Sequence, residues 1–283
     1  MSRPKGSLML EQITPVVLTY NEAANLERTL RQIAWAHDIV VLDSFSDDET
    51  VAIAGRSPQV RLIQRQFDSH QNQWTFGLTK TQIKTPWILA LDADYVLTDE
   101  LIDELKHLTP GPEVNGYTVR FIYCLNGRPL RCGIYPPVNA LFRASEASFE
   151  QDGHTQRVRI NGRVATLRSK ILHDDRKPLR RWLESQVRYA ELEAEKLLSA
   201  TGNLSFADRV RAWRLFAPLG VVLYCLFIRG GLLDGWLGVF YALQRGTAEL
   251  MLSLNLISAS FGRRSLQANE QKESSQLNEE VSI

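Results

Sequence analysis

Apolar and polar positions follow two rhythms along this chain, and the switch between them outlines its elements. Residues Ile13–Thr19 form an apolar, β-branched run, and beyond Tyr20-Asn21-Glu22 the residues Leu26, Leu30, Ile33 and Ala34 recur at helical spacing. Residues 38–42 predict a second strand ending on Asp43, and Ser46 with Glu49 three positions on is a capping-box pattern that opens a helix. A strand over 60–63, a helix over 71–83 and a strand over 87–91 continue the alternation. Such an order predicts an α/β fold with a mostly parallel twisted sheet and flanking helices, whose ligands bind beyond the carboxyl ends of the strands. Residues 19–22, 43–47 and 92–94 all fall at such ends, so three polar clusters are expected to meet in one crevice.

The pattern changes after a helix predicted over 99–108. Short strands over 116–123 and Val138–Arg143, with Asn126-Gly127 as a hairpin turn, are expected to shape the acceptor side. Pro178 opens a long helical stretch to Ser199, and Gly202 reads as its stop. Residues 205–262 differ in character, with apolar runs over 215–228 and 230–243 separated by Arg229. Each run has about 14 residues, short of the ~20 a spanning helix needs. Arg209, Arg211 and Arg214 precede the first run, where anionic headgroups could meet them, so this region predicts interfacial or re-entrant helices and a membrane surface as partner. A buried helical hairpin or a dimer interface is the competing reading. Residues 263–283, rich in Gln, Glu, Ser and Asn, predict a disordered polar tail, and residues 1–11 an N-terminal tail.

Composition narrows the class. Lys and Arg total 33 against 32 Asp and Glu, so the net charge of +1 offers no global attraction to nucleic acid. Three cysteines, Cys124, Cys132 and Cys225, have no paired-ligand spacing, and their odd number argues against a disulfide framework and for a reducing compartment. No signal-peptide core follows the basic start, because Glu11 and Gln12 arrive first. The expected location is the cytoplasmic face of the inner or plasma membrane.

Asp92 and Asp94 carry the clearest chemistry. In an extended segment alternate side chains share a face, so the two carboxylates can point at one cation while Ala93 points away. Hard oxygen ligands favour Mg2+ or Mn2+ over zinc. Two protein carboxylates leave the rest of the shell to water or phosphate oxygens, which suggests a bound nucleoside diphosphate. A strand that simply ends in a polar turn would look similar.

Val16-Val17-Leu18-Thr19-Tyr20-Asn21-Glu22, then Val40-Val41-Leu42-Asp43-Ser44, then Leu91-Asp92-Ala93-Asp94, in this order and spacing, resemble family 2 glycosyltransferases with the GT-A fold. A second layer, Asp152-Gly153-His154-Thr155-Gln156 and residues 171–179 with His173, resembles the subgroup containing lipopolysaccharide core glucosyltransferases of the WaaE kind. The resemblance implies a catalytic domain over 12–200 and a nucleotide-sugar donor, with a UDP-sugar as the expected one. It also implies inverting hexosyl transfer to a lipid-linked or lipopolysaccharide-core saccharide. Under it, Glu22 and Asp43 take the ribose and base, and Thr19, Tyr20, Asn21 and Ser44 line the pocket. Asp92 and Asp94 hold the metal with His173 as a candidate third ligand, and Arg176 and Lys177 meet the diphosphate. For the general base, Asp152 is the first choice, with Glu150 and His154 beside it. Two departures stand out: Tyr95 occupies the place where the family commonly has a further acid, and Thr155 follows His154 where relatives often carry Glu.

Competing classes are a nucleotidyltransferase, which should open with a glycine-rich loop after its first strand, and a non-catalytic, membrane-tethered sugar-nucleotide or lipid-binding protein. Tyr20-Asn21-Glu22-Ala23 contains no such glycine. Gly-x-Gly-x-x-Gly and Gly-Lys-Ser/Thr loops are absent there as well, which argues against a dinucleotide oxidoreductase and a P-loop enzyme.

Overall fold

In the computed structural model, residues 9–152, 155–199 and 216–280 are described, with side chains up to residue 261. Eleven strands follow in chain order among these residues: β1 (Ile13–Thr19), β2 (Ile39–Asp43), β3 (Val60–Gln64), β4 (Trp87–Asp92), β5 (Tyr95–Leu97), β6 (Val114–Leu125), β7 (Arg128–Pro129), β8 (Val138–Arg143), β9 (Ala147–Asp152), β10 (Thr155–Ile160) and β11 (Arg163–His173). The main sheet has the order β3-β2-β1-β4-β8-β6-β11-β5, with β7 on β6. Its first four strands are parallel, as the alternation predicts. Beyond β4 it is mixed rather than mostly parallel, because β8 runs antiparallel to both β4 and β6 and β5 runs antiparallel to β11. Two connections in this half are short: β7 returns from β6 through the two-residue turn Asn126-Gly127, and β5 follows β4 after two residues. Asn126 and Gly127 both have positive φ, 50° and 77°, as that turn requires.

The sheet is covered on both faces, which is why its parallel strands read as unbroken apolar runs. Ile13, Val17, Ile39, Val41, Leu89 and Leu91 pack on one side with Leu26 and Leu30 of α1 (Leu26–Gln32) and Leu101 and Leu105 of α4 (Asp99–His107). Val16, Val40, Ile88 and Phe142 face the other side and Trp74 of α3 (His70–Thr79), which stacks on Phe149 of the β9–β10 hairpin at 5.5 Å. Each large side chain buried this way contributes about 1.5–3 kcal/mol. The helix expected over 71–83 is α3, capped by the Ser69 hydroxyl, which accepts from Asn72 N at 3.1 Å. The Ser46–Glu49 capping box does not form. Helix α2 spans Thr50–Ala54 without a side-chain cap, and Ser46 turns toward Asp43 instead.

After α5 (Leu179–Ser199), the described chain resumes with α6 (Ala217–Leu223), a π turn (Tyr224–Ile228), a 3-10 turn (Gly231–Asp234) and α7 (Trp236–Glu280). Helix α7 thus runs on into the stretch for which composition predicts disorder; Glu, Gln, Ala and Leu there are good helix formers once a packed helix precedes them. Cys225, Tyr241 and Ala242 bury against Leu130 and Cys132 of the β7 hairpin, and Ala190 and Ala194 of α5 against Leu252 and Leu256 of α7. No helix among the described residues is long and apolar enough to cross a membrane. At the other end, Met9–Gln12 forms a 3-10 turn with Met9 buried, so the expected tail is docked by its last residues. The Arg209, Arg211, Arg214 cluster and the Gly202 stop lie outside the described residues.

Candidate active site

Strand register builds the crevice. Thr19 pairs with Asp43, Leu18 with Asp92 and Asp43 with Gln64, so the carboxyl ends of four adjacent strands stand in one row. The loops after β1 and β2 then lock together. Asn21, with φ of 55°, donates its backbone N–H to Ser46 Oγ at 2.8 Å and accepts from Asp47 N on its own Oδ1 at 2.9 Å. Glu22 N donates to Thr50 Oγ1 at 2.7 Å. Asp43 has no exposed surface and accepts from Thr19 Oγ1 (3.0 Å), Ser46 N (2.9 Å), the Ser46 hydroxyl and Gln64 Nε2 (3.1 Å). Those donors join the loops after β1 and β2 through Asp43. Ser44 is buried and accepts from Gln73 Nε2, whereas Tyr20 and Phe45 stand exposed at the rim.

The Asp92-Ala93-Asp94 turn joins β4 to β5, and the pairing of β5 with β11 sets His173 opposite Tyr95. His173 Nε2 lies 3.0 Å from Asp94 Oδ2. Burial and the neighbouring Asp94 charge push Asp92 up to about 6. Asp94 is held below the ordinary carboxylate value because His173 and Lys177 outweigh its own burial, and His173 is raised in turn by Asp94. Tyr95 turns into the core, bonds Asp92 and pairs its hydroxyl with that of Tyr135. The rings of Tyr123 and Tyr135 pack on the imidazole at 4.9 and 4.4 Å, and His173 Nδ1 is buried without a hydrogen-bond partner.

Residues 173–177 cross the crevice as a strap. Lys177 Nζ reaches Glu22 Oε1 at 2.7 Å, and burial outweighs that cation to lift Glu22 to about 7. Asp174 accepts from Gly127 N at 2.8 Å and pairs with Arg28 and Arg176. Asn25 ties the strap to α1: its Nδ2 donates to Glu22 Oε2 (2.8 Å) and Asp175 Oδ1 (2.9 Å), and its Oδ1 accepts from Arg28 Nη2 (2.7 Å) and Arg176 N (2.9 Å). Thr29, one turn on, donates to the carbonyl of Ala93 at 2.6 Å. Asn25, Arg28 and Thr29 belong to this cluster, and sequence reasoning missed them. Their signal was a polar row at 22, 25, 28 and 29 beside the apolar one at 26, 30 and 33.

The expected base candidates are not drawn into this cluster by any described bond. Asp152 pairs with Arg157 at 2.7 Å and Lys196 at 2.9 Å, which hold it below its ordinary value, and Glu150 pairs with Arg159 at 2.7 Å on an exposed face. His154 lies outside the described residues. Arg176 and Lys177 are engaged with Asp174 and Glu22 rather than standing free for a diphosphate.

Among the described residues, no group of three or more His, Cys, Asp and Glu side chains is arranged to enclose a metal ion. Asp92, Asp94 and His173, whose Nε2 faces Asp94, are the groups that could share one with ligands from outside the chain.

Among known proteins, residues 15–131 match the family described as glycosyl transferase family 2. An uncharacterized glycosyltransferase of Rickettsia bellii is 29% identical over 153 residues, 53% of this chain and 51% of its own length. One from Rickettsia felis is 23% identical over 271 residues, 89% of this chain and 95% of its own. The chain therefore spans about half the length of the first relative and nearly all of the second. Among solved structures, Staphylococcus aureus TarS with UDP-GlcNAc aligns at a TM-score of 0.42 and 14% identity, covering 89% of this chain and 92% of that one. Glucosyl-3-phosphoglycerate synthase from Mycobacterium tuberculosis, in complex with Mn2+, UDP and glucosyl-3-phosphoglycerate, aligns at 0.44 and 15%, covering 72% and 88%.

Proposed function

We propose that the protein is an inverting, metal-dependent hexosyltransferase that uses a nucleoside-diphosphate sugar, a UDP-sugar in particular, at the crevice beyond β1, β2 and β4. Its acceptor is a lipid-linked or lipopolysaccharide-core-type saccharide at the cytoplasmic face of a membrane. One observation carries the reading: Asp92 and Asp94 stand together at the end of β4, in the segment that matches glycosyl transferase family 2, with His173 Nε2 3.0 Å from Asp94 Oδ2. A divalent cation held by Asp92 and Asp94, with His173 beside it, would neutralise the departing diphosphate. Lys177 supplies a second positive charge there once it leaves Glu22, and Glu22 then has a carboxylate to offer a ribose hydroxyl. We assign the general base to Asp152, which must exchange Lys196 and Arg157 for the acceptor hydroxyl.

The test is UDP release by the purified full chain across a panel of nucleotide sugars, with Mg2+ or Mn2+. Asp94→Ala should abolish turnover and leave the melting temperature close to that of the parent. Full activity in the presence of a chelator would refute the metal, and equal rates with UDP-, GDP- and ADP-sugars would refute the UDP preference.

A further inference from the structure

Among the described residues, large exposed apolar side chains gather at the elbow between α6 and α7. Ile228 is 75% exposed, Leu233 73% and Trp236 86%, with Phe227 and Leu232 also in solvent. An apolar stripe continues along α7 through Phe240, Leu243, Leu250, Leu254 and Phe261, spaced so that all lie on one side of the helix. Packing does not require these residues to be apolar, since the inner side of the same segment is closed by Cys225, Tyr241 and Ala242.

Charge identifies the occupant. The one carboxylate of residues 216–248 is Asp234, and it turns inward to accept from Arg131 N at 2.8 Å and Cys132 N at 3.1 Å. Arg131 and Arg229 stand exposed beside the elbow, Arg131 with its Nε 3.9 Å from Asp234 and Arg229 donating to the carbonyl of Gly133 at 3.0 Å. The elbow and the α6 and α7 segments beside it are therefore apolar and cationic, with no exposed acid. A second copy pairing through this face brings no carboxylate to those guanidinium groups, whereas anionic phospholipid headgroups do, above an acyl layer that accepts Ile, Leu and Trp. The elbow would lie in the interface, a depth that suits Trp. Two ring contacts tie it to the crevice: Tyr241 of α7 packs on Tyr123 at 4.7 Å, and Tyr123 on His173 at 4.9 Å.

We infer that the α6–α7 elbow docks the protein on an anionic bilayer and holds the crevice at headgroup level, an inference that rests on the transferase reading for what the crevice does there. Flotation of the full chain with vesicles of phosphatidylcholine alone, and of phosphatidylcholine mixed with phosphatidylglycerol, tests it. The parent should bind the mixed vesicles. Ile228→Ser/Leu233→Ser/Trp236→Ser should lower that partition by about tenfold or more. Arg131→Gln/Arg229→Gln should lower it by about fivefold per charge on the mixed vesicles and leave the neutral ones unaffected. Both variants should keep the parent's melting temperature and its hydrolysis of UDP-sugars in solution. Equal partition of parent and triple variant overturns the inference, as does a parent dimer that the triple variant dissolves. Hydrolysis without vesicle binding refutes the docking surface alone, and vesicle binding without hydrolysis refutes the transferase reading alone.

Discussion

Asn25 has 1% of its surface exposed and uses both ends of its amide, two donors to Glu22 and Asp175 and an acceptor shared by Arg28 and Arg176. No other residue type presents two donors and an acceptor in that planar geometry at that length. Asn25→Ala should lower stability by about 2–4 kcal/mol, because buried polar partners are left unpaired, and denaturant unfolding monitored by fluorescence measures it. An unchanged midpoint would mean that the strap is not fastened through α1. At this scale the sequence was informative about Asp92 and Asp94, since an apolar run ending on spaced carboxylates is a local pattern. It did not show the partners of Asp43, which accepts from Thr19, Ser46 and Gln64 once the loops close. Tyr95 turns into the core beside Tyr135, a partner 40 residues away that no local pattern announces.

At the scale of elements, β11 delivers His173 and the strap, so its register matters most. That strand is irregular between Thr166 and Lys170 along its pairing with β6, and Glu104 of α4 repairs the interruption by accepting from Arg168 N at 2.9 Å and Ser169 N at 2.8 Å. These bonds hold Glu104 below its ordinary value of 4.5. The fold therefore favours the ionised form: its stabilisation is present above pH 4.5 and is lost as the pH falls below it. Glu104→Gln should remove this pH dependence and lower stability near neutrality by about 1–2 kcal/mol, which thermal melts at a series of pH values measure. A parent and variant whose melting temperatures fall in parallel below pH 4.5 would contradict it. The parallel half of the sheet was legible because its strands are short apolar runs between helical stretches. The mixed half was not, because the direction of β8 and β5 depends on which strands they meet and not on their own composition.

Across the whole molecule, Tyr241 on Tyr123 and Cys225 and Ala242 beside Leu130 and Cys132 join the helical end to the crevice side, and within that end α6 lies close against α7. A side chain at Gly246 would bring its Cβ to 2.5 Å from Val222 Cγ2 and 3.5 Å from the carbonyl of Pro218. Gly246→Val should wedge the two helices apart, with a loss of about 1–3 kcal/mol read as a lower melting temperature. A variant as stable as the parent would show that the pair tolerates separation. The order of strands and helices, the strand-end positions of Thr19, Asp43, Asp92 and Asp94 and the apolar character of 215–243 were determined by the sequence alone, because each rests on local periodicity and residue chemistry. Only the tertiary structure decided that Asp43 bonds Thr19 and Gln64, that Asn25 and Arg28 fasten the strap, that Glu22 meets Lys177 and that Asp234 turns inward. These depend on contacts between residues distant in the chain, which packing and register bring together and neighbouring sequence does not encode.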